Sequence, residues 1–131
     1  MTRLLNWIAA TAFATLSIAP SVALAASSSP VGQWMVTTGE ARYTVSSCGD
    51  GSQLCAKLVW LRSDARTKDN LALLNKYVVR GAQPSGNGTW TGAVMFNGNS
   101  YAGTMQMVSR NFMTLKGCSG ILCHTYEFTR V

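Results

Sequence analysis

Cys48-Gly49-Asp50-Gly51-Ser52-Gln53-Leu54-Cys55-Ala56-Lys57-Leu58-Val59-Trp60-Leu61 decides the fold of this chain. Its first half sets Gly, Asp and Ser between two cysteines, which is a tight turn pinned shut. Its second half alternates, with Leu54, Ala56, Leu58 and Trp60 on one side and Cys55, Lys57 and Val59 on the other. A period of two with a charge on one face is a half-buried strand. A hairpin stapled at its tip thus enters a strand that delivers a Trp to the core. A second short loop, Cys118-Ser119-Gly120-Ile121-Leu122-Cys123, precedes the last strand.

Outward from that stretch, the N-terminus reads as an export signal. Met1-Thr2-Arg3 supplies one positive charge, and Leu4 to Ala19 is apolar apart from Asn6 and a few hydroxyl residues. Ala23-Leu24-Ala25 then puts small residues where a signal peptidase reads. The expectation is a signal peptide over residues 1–25, a small Ser-rich disordered leader over 26–30, and a single domain over 31–131. The mature product is expected to have no membrane span and to be periplasmic or secreted. Four cysteines in an exported chain read as two disulfides. Of the possible pairings the two local ones are expected, Cys48–Cys55 and Cys118–Cys123, each contributing roughly 2–3 kcal/mol by loop entropy. A zinc site is not expected, because paired C-x-x-C spacing is missing and His124 is the only histidine.

Eleven Lys and Arg against five Asp and Glu give a net charge of +6. The basic residues stand singly (Arg42, Lys57, Arg62, Arg66, Lys68, Lys76, Arg80, Arg110, Lys116, Arg130), so no nucleic-acid face is implied. The remaining chain is strand-like. Val31 to Thr38 opens the fold and Gly39-Glu40 turns it into Ala41–Ser47. After Leu61 the strand pattern breaks over residues 62–75, where Ser63 to Asn70 is polar and Leu71-Ala72-Leu73-Leu74 suits a short helix or lid. Lys76 to Gly81 is extended with Tyr77 and Val79 facing one way, and Gln83 to Gly88 is a loop. Thr89 to Phe96 alternates Trp90, Gly92, Val94 and Phe96 against Thr91, Ala93 and Met95. Asn97-Gly98 is a hairpin turn. Ser100 to Ser109 returns with Tyr101, Gly103, Met105 and Met107 on one face, and Phe112 to Gly117 puts Met113 and Leu115 inward. His124, Tyr126, Phe128 and Arg130 share a face of the final strand. About eight short strands with one helical break suit an all-β, small up-and-down antiparallel barrel.

Two sets of residues carry a family resemblance. Gly32-x-Trp34 in the first strand with Arg130 in the last resembles the calycin signature of lipocalins and fatty-acid-binding proteins. That resemblance implies Arg130 lying across the Trp34 ring and closing one end of the barrel, a cation–π contact with guanidinium donors to nearby carbonyls. The more specific likeness is to the uncharacterised bacterial family catalogued as domain of unknown function 2147. It rests on Val31-Gly32-x-Trp34, Cys48-Gly49, Leu54-Cys55, Leu58-Val59-Trp60-Leu61, Gly88-Thr89-Trp90-Thr91-Gly92, Gly117-Cys118-Ser119-Gly120, Leu122-Cys123 and Thr129-Arg130. This resemblance implies an exported calycin-like barrel and brings no known reaction. Ala56 stands where the family pattern has Gly, and Phe128 where a Trp is usual.

Chemistry is sparse in the sequence. No nucleophile elbow accompanies His124, the acids Glu40, Asp50, Asp64, Asp69 and Glu127 are unpaired in sequence, and the glycines punctuate hairpins rather than cradle phosphate. The expectation is a non-enzyme without cofactor or metal. The inward face is richer: by parity it holds Trp34, Val36, Tyr43, Val45, Leu58, Val79, Val94, Leu115 and Phe128. Its candidate ligand contacts are Trp60, Tyr77, Trp90, Phe96, Tyr101, Met105, Met107, Met113 and Tyr126. An eight-stranded barrel is either filled by such side chains or holds one small ligand. Gly92 and Gly103 would leave room midway along two strands, and thioethers adapt to irregular ligands. The expected function is binding of a small hydrophobic molecule or lipid in the interior, as a monomer or weak dimer. The alternative is a filled core and an envelope protein partner met through the Cys48–Cys55 loop, the residue 84–87 loop and the basic stretch Arg62 to Lys68.

Overall fold

The computed structural model describes residues 14–18, 29–96 and 98–131. The proposed signal peptide lies outside the described residues except for 14–18, which carry no secondary structure. Eight strands follow: β1 (Gly32–Val36), β2 (Ala41–Cys48), β3 (Gln53–Leu61), β4 (Tyr77–Gly86), β5 (Thr89–Phe96), β6 (Asn99–Ser109), β7 (Phe112–Ser119) and β8 (Leu122–Arg130). Each pairs antiparallel with the next, and β8 returns to β1 through Trp34↔Arg130, Met35↔Thr129 and Val36↔Phe128. The result is the closed up-and-down barrel expected from the strand count. A 3-10 turn, Ser63–Ala65, and one short helix, α1 (Lys68–Leu73), occupy the polar break after β3.

Antiparallel order sorts the connections between two ends. The turns after β1, β3, β5 and β7 gather at one end, with the helical segment among them. The turns after β2, β4 and β6 gather at the other, beside the start of β1 and the close of β8. This second end is shut. Trp34 is fully buried, and its indole Nε1 donates to the Pro30 carbonyl at 2.8 Å. The Arg130 guanidinium lies 4.3 Å from the Trp34 ring centroid. It donates to the carbonyls of Arg110 at 3.0 Å, Val31 at 2.9 Å and Ser29 at 2.7 Å. Gly32 sits at φ +142°, where a Cβ would come within 2.7 Å of Arg130 Nη1, so only glycine lets the cation reach across. Ser29 and Pro30, read from sequence as the end of a disordered leader, are thereby tied into this plug.

Both local disulfides form. Cys118 and Cys123 stand directly opposite each other in the β7–β8 ladder, and Cys48 and Cys55 span the Gly49–Ser52 turn. Asp50 accepts from the backbone and hydroxyl of Ser52 in that turn. Those bonds hold its carboxyl below the usual range.

Bulges correct the parity of two aromatics. On β3, Leu58 pairs with Tyr43 but Trp60 pairs with Arg42, so Val59 is an extra residue. A bulge reverses the faces beyond it: Leu61 turns in, and Trp60 turns out at 38% exposure with Arg42 5.0 Å from its ring. On β4 the register also slips beside Val78. Val78 and Val79 are both buried, and Tyr77 faces out at 43% exposure with Lys57 5.5 Å away. Trp60 and Tyr77 are therefore removed from the expected interior. β4 also runs on through Gln83-Pro84-Ser85-Gly86, read from sequence as loop. Pro84 is tolerated there because pairing with β3 ends at Ala82, leaving that side of β4 without a ladder to donate to.

Candidate functional site

The open end leads into a cavity of about 440 Å³ inside the barrel. Its deep part is apolar: Trp34, Val45, Met105, Met113 and Phe128 line it and are each at most 6% exposed. Toward the rim the lining becomes polar, with Glu40, Tyr43, Asn70, Tyr101, Ser119, His124 and Tyr126.

The opening follows from unequal strand lengths. β1 has five residues and β8 has nine. The last link between them is Thr37 N–H to the Glu127 carbonyl at 2.9 Å. Above it, residues 122–126 of β8 have no ladder partner on the β1 side among the described residues. The disulfide-braced β7–β8 hairpin overhangs the mouth and carries His124 and Tyr126 on its inner face. Phe96 on β5 reaches across the mouth from a non-neighbouring strand, its ring centroid 6.1 Å from that of Tyr126. Opposite, the helical segment lowers Ala65, Asn70 and Leu73 onto the cavity.

That segment is fastened at its base. Thr67 Oγ1 caps α1 by accepting from Asn70 N–H at 3.3 Å, and Asn70 Nδ2 donates to the Ala65 carbonyl at 2.9 Å. Arg62 grips both Asp64 oxygens, at 2.6 and 2.9 Å, and donates to the Thr38 carbonyl at 3.0 Å, linking the segment to the β1–β2 turn. The guanidinium holds the Asp64 carboxyl below the usual range, and the same bond raises Arg62.

Tyr43 is the most perturbed group in the cavity. Burial first, then the nearby Tyr126 and Glu40, push its phenol up to about 12. It is an uncharged donor at any physiological pH. Its ring meets Phe128 edge-on at 5.6 Å.

Of the residues expected inside, Phe96, Tyr101, Met105, Met113 and Tyr126 line the cavity. Trp90 and Met107 are half-buried against the core, beside the shut end and away from the cavity lining. Trp60 and Tyr77 lie on the outer wall. The glycines make room for neighbours rather than for a ligand: a Cβ on Gly92 would sit 2.8 Å from Ala82 Cα, and one on Gly103 would strike the Val94 methyl. Glu40, Asn70 and Ser119 were not legible as site residues, since a turn, a helix and the last residue of a strand enter a cavity only through the fold. His124 shares strand parity with Tyr126, and that was the available signal.

The geometry is that of a one-mouthed container with an apolar floor and a polar rim. Neither curated proteins nor solved structures yield a match to this sequence. The family model described as "Uncharacterized protein conserved in bacteria (DUF2147)" matches residues 32–130, nearly the whole barrel from the Gly32 approach to the Arg130 clasp. The chain belongs to that family.

Proposed function

We propose that this is a non-catalytic binding protein that holds a small hydrophobic molecule inside its barrel. The observation carrying this reading is the cavity of about 440 Å³, within the ~300–1,000 Å³ range of small-molecule sites and lined by apolar side chains with a few convergent polar ones. Export to the periplasm or beyond is supported by two disulfides and by the N-terminal signal pattern.

Native mass spectrometry of protein purified from an envelope fraction without detergent tests the reading. The expected result is a reproducible extra mass that organic extraction removes. A bare mass, together with no uptake from a panel of alkyl-chain compounds, refutes it.

A second reading draws on the β7–β8 tip, where Ile121 is 99% and Leu122 70% exposed on a disulfide-braced hairpin. An envelope protein partner would dock there, and co-purification of a stable protein partner would support it.

A further inference from the structure

The lining of the cavity is selective in charge. Among the described residues no lysine or arginine lines it, and His124 is the only side chain there able to carry a positive charge. Cations on the flanking strands point away: Arg42 lies against Trp60 and Lys57 against Tyr77 on the outer wall. Arg62, 3.9 Å from Glu40, is already engaged by both oxygens of Asp64 and by the Thr38 carbonyl. What faces the mouth is the Glu40 carboxylate, a set of phenols, Asn70, Ser119 and His124.

We propose that the cavity selects an uncharged amphiphile, with an alkyl or aryl body on the Trp34–Met105–Met113–Phe128 floor and a hydroxyl, amide or ester head at the Tyr43–His124–Tyr126 rim, and that it excludes carboxylate lipids. The proposal rests on the binding reading above. A carboxylate held at this rim beside the buried Tyr43 would lose part of its hydration with no lysine or arginine to offset the loss, and would meet the field of Glu40. A neutral head loses far less, and finds donors in the phenols and acceptors in Glu40 and Ser119. The Tyr43 phenol stays protonated, so it is available as a donor throughout the working range. Calycin-like shape alone would have suggested fatty acids. The charge of this lining argues against them.

Decanol, decanoate and decyltrimethylammonium share a chain and differ in head group. Each is titrated by calorimetry against the purified full-length protein, at one pH slightly above neutrality and below its micelle concentration. Decanol is expected to bind at least about tenfold more tightly than decanoate, the effect of one unpaired polar group. Glu40→Gln, at an exposed rim position, is expected to narrow that gap by strengthening decanoate binding. Decanoate binding as tightly as decanol, or decyltrimethylammonium binding most tightly, overturns the head-group assignment while leaving a binder in place. Failure of all three to bind overturns the binding reading and the assignment with it.

Discussion

Arg130→Met should open the shut end of the barrel. The wild-type guanidinium makes three hydrogen bonds to carbonyls from two segments, residues 29–31 and Arg110, and covers the Trp34 ring at 4.3 Å. These bonds are solvent-accessible, so each is taken at about 1 kcal/mol rather than the higher values of buried charged bonds. A cation–π contact over a fully buried indole adds about 1 kcal/mol. The expected loss is about 4 kcal/mol, a large share of the ~5–15 kcal/mol that holds a small domain together. At roughly 4 to 5 °C per kcal/mol for a domain of this size, the melting temperature should fall by about 16–20 °C. Urea titrations followed by tryptophan emission measure the free energy, and thermal circular dichroism measures the shift. Arg130→Lys keeps a charge over the ring, but a single ammonium cannot reach all three carbonyls, so about half the loss should return. An Arg130→Met protein within about 1 kcal/mol of wild type would show that the clasp is ornamental, and the reasoning would fail.

Other consequences are open to measurement. Gly103→Ala drives a methyl into Val94 and should cost about 1–3 kcal/mol, while adding Val94→Ala should recover part of it, a coupling that a double-mutant cycle in urea would read. Tyr43 has a folded pKa of about 12 against an ordinary value near 10, so its contribution is complete below about pH 10 and declines as the pH rises toward 12. Wild type should lose up to about 1 kcal/mol per pH unit in that window beyond what Tyr43→Phe loses, and equal slopes in alkaline urea titrations would contradict the assignment. Iodide should quench Trp60 and spare Trp34, which are 38% and 0% exposed, so Trp60→Phe should lower the quenchable fraction and leave the smaller share of half-buried Trp90.

Much of this molecule was legible in one dimension. Side chains of a strand alternate strictly, so Val45, Val79, Met105 and Phe128 announce an inner face, and Asp50-Gly51-Ser52 between cysteines announces a turn. Those signals are local, and the eight strands and both disulfides follow from them. Gly32, Trp34 and Arg130 mark the clasp because their chemistry is complementary even at long separation. The bulges beside Val59 and Val78 left no such mark. Each is an extra residue relative to a partner strand, so it is defined by pairing and not by the chain that contains it. Parity counted along β3 alone put Trp60 inside; the register with β2 put it outside. The cavity likewise depends on a difference between distant elements: five residues of β1 cannot cover nine of β8. Composition named an aromatic and Met-rich interior. Only closure of the barrel decided that Glu40, Asn70 and His124 would meet at its mouth with no lysine or arginine among the described residues, because charge balance at a rim belongs to the set of strands and turns that gather there.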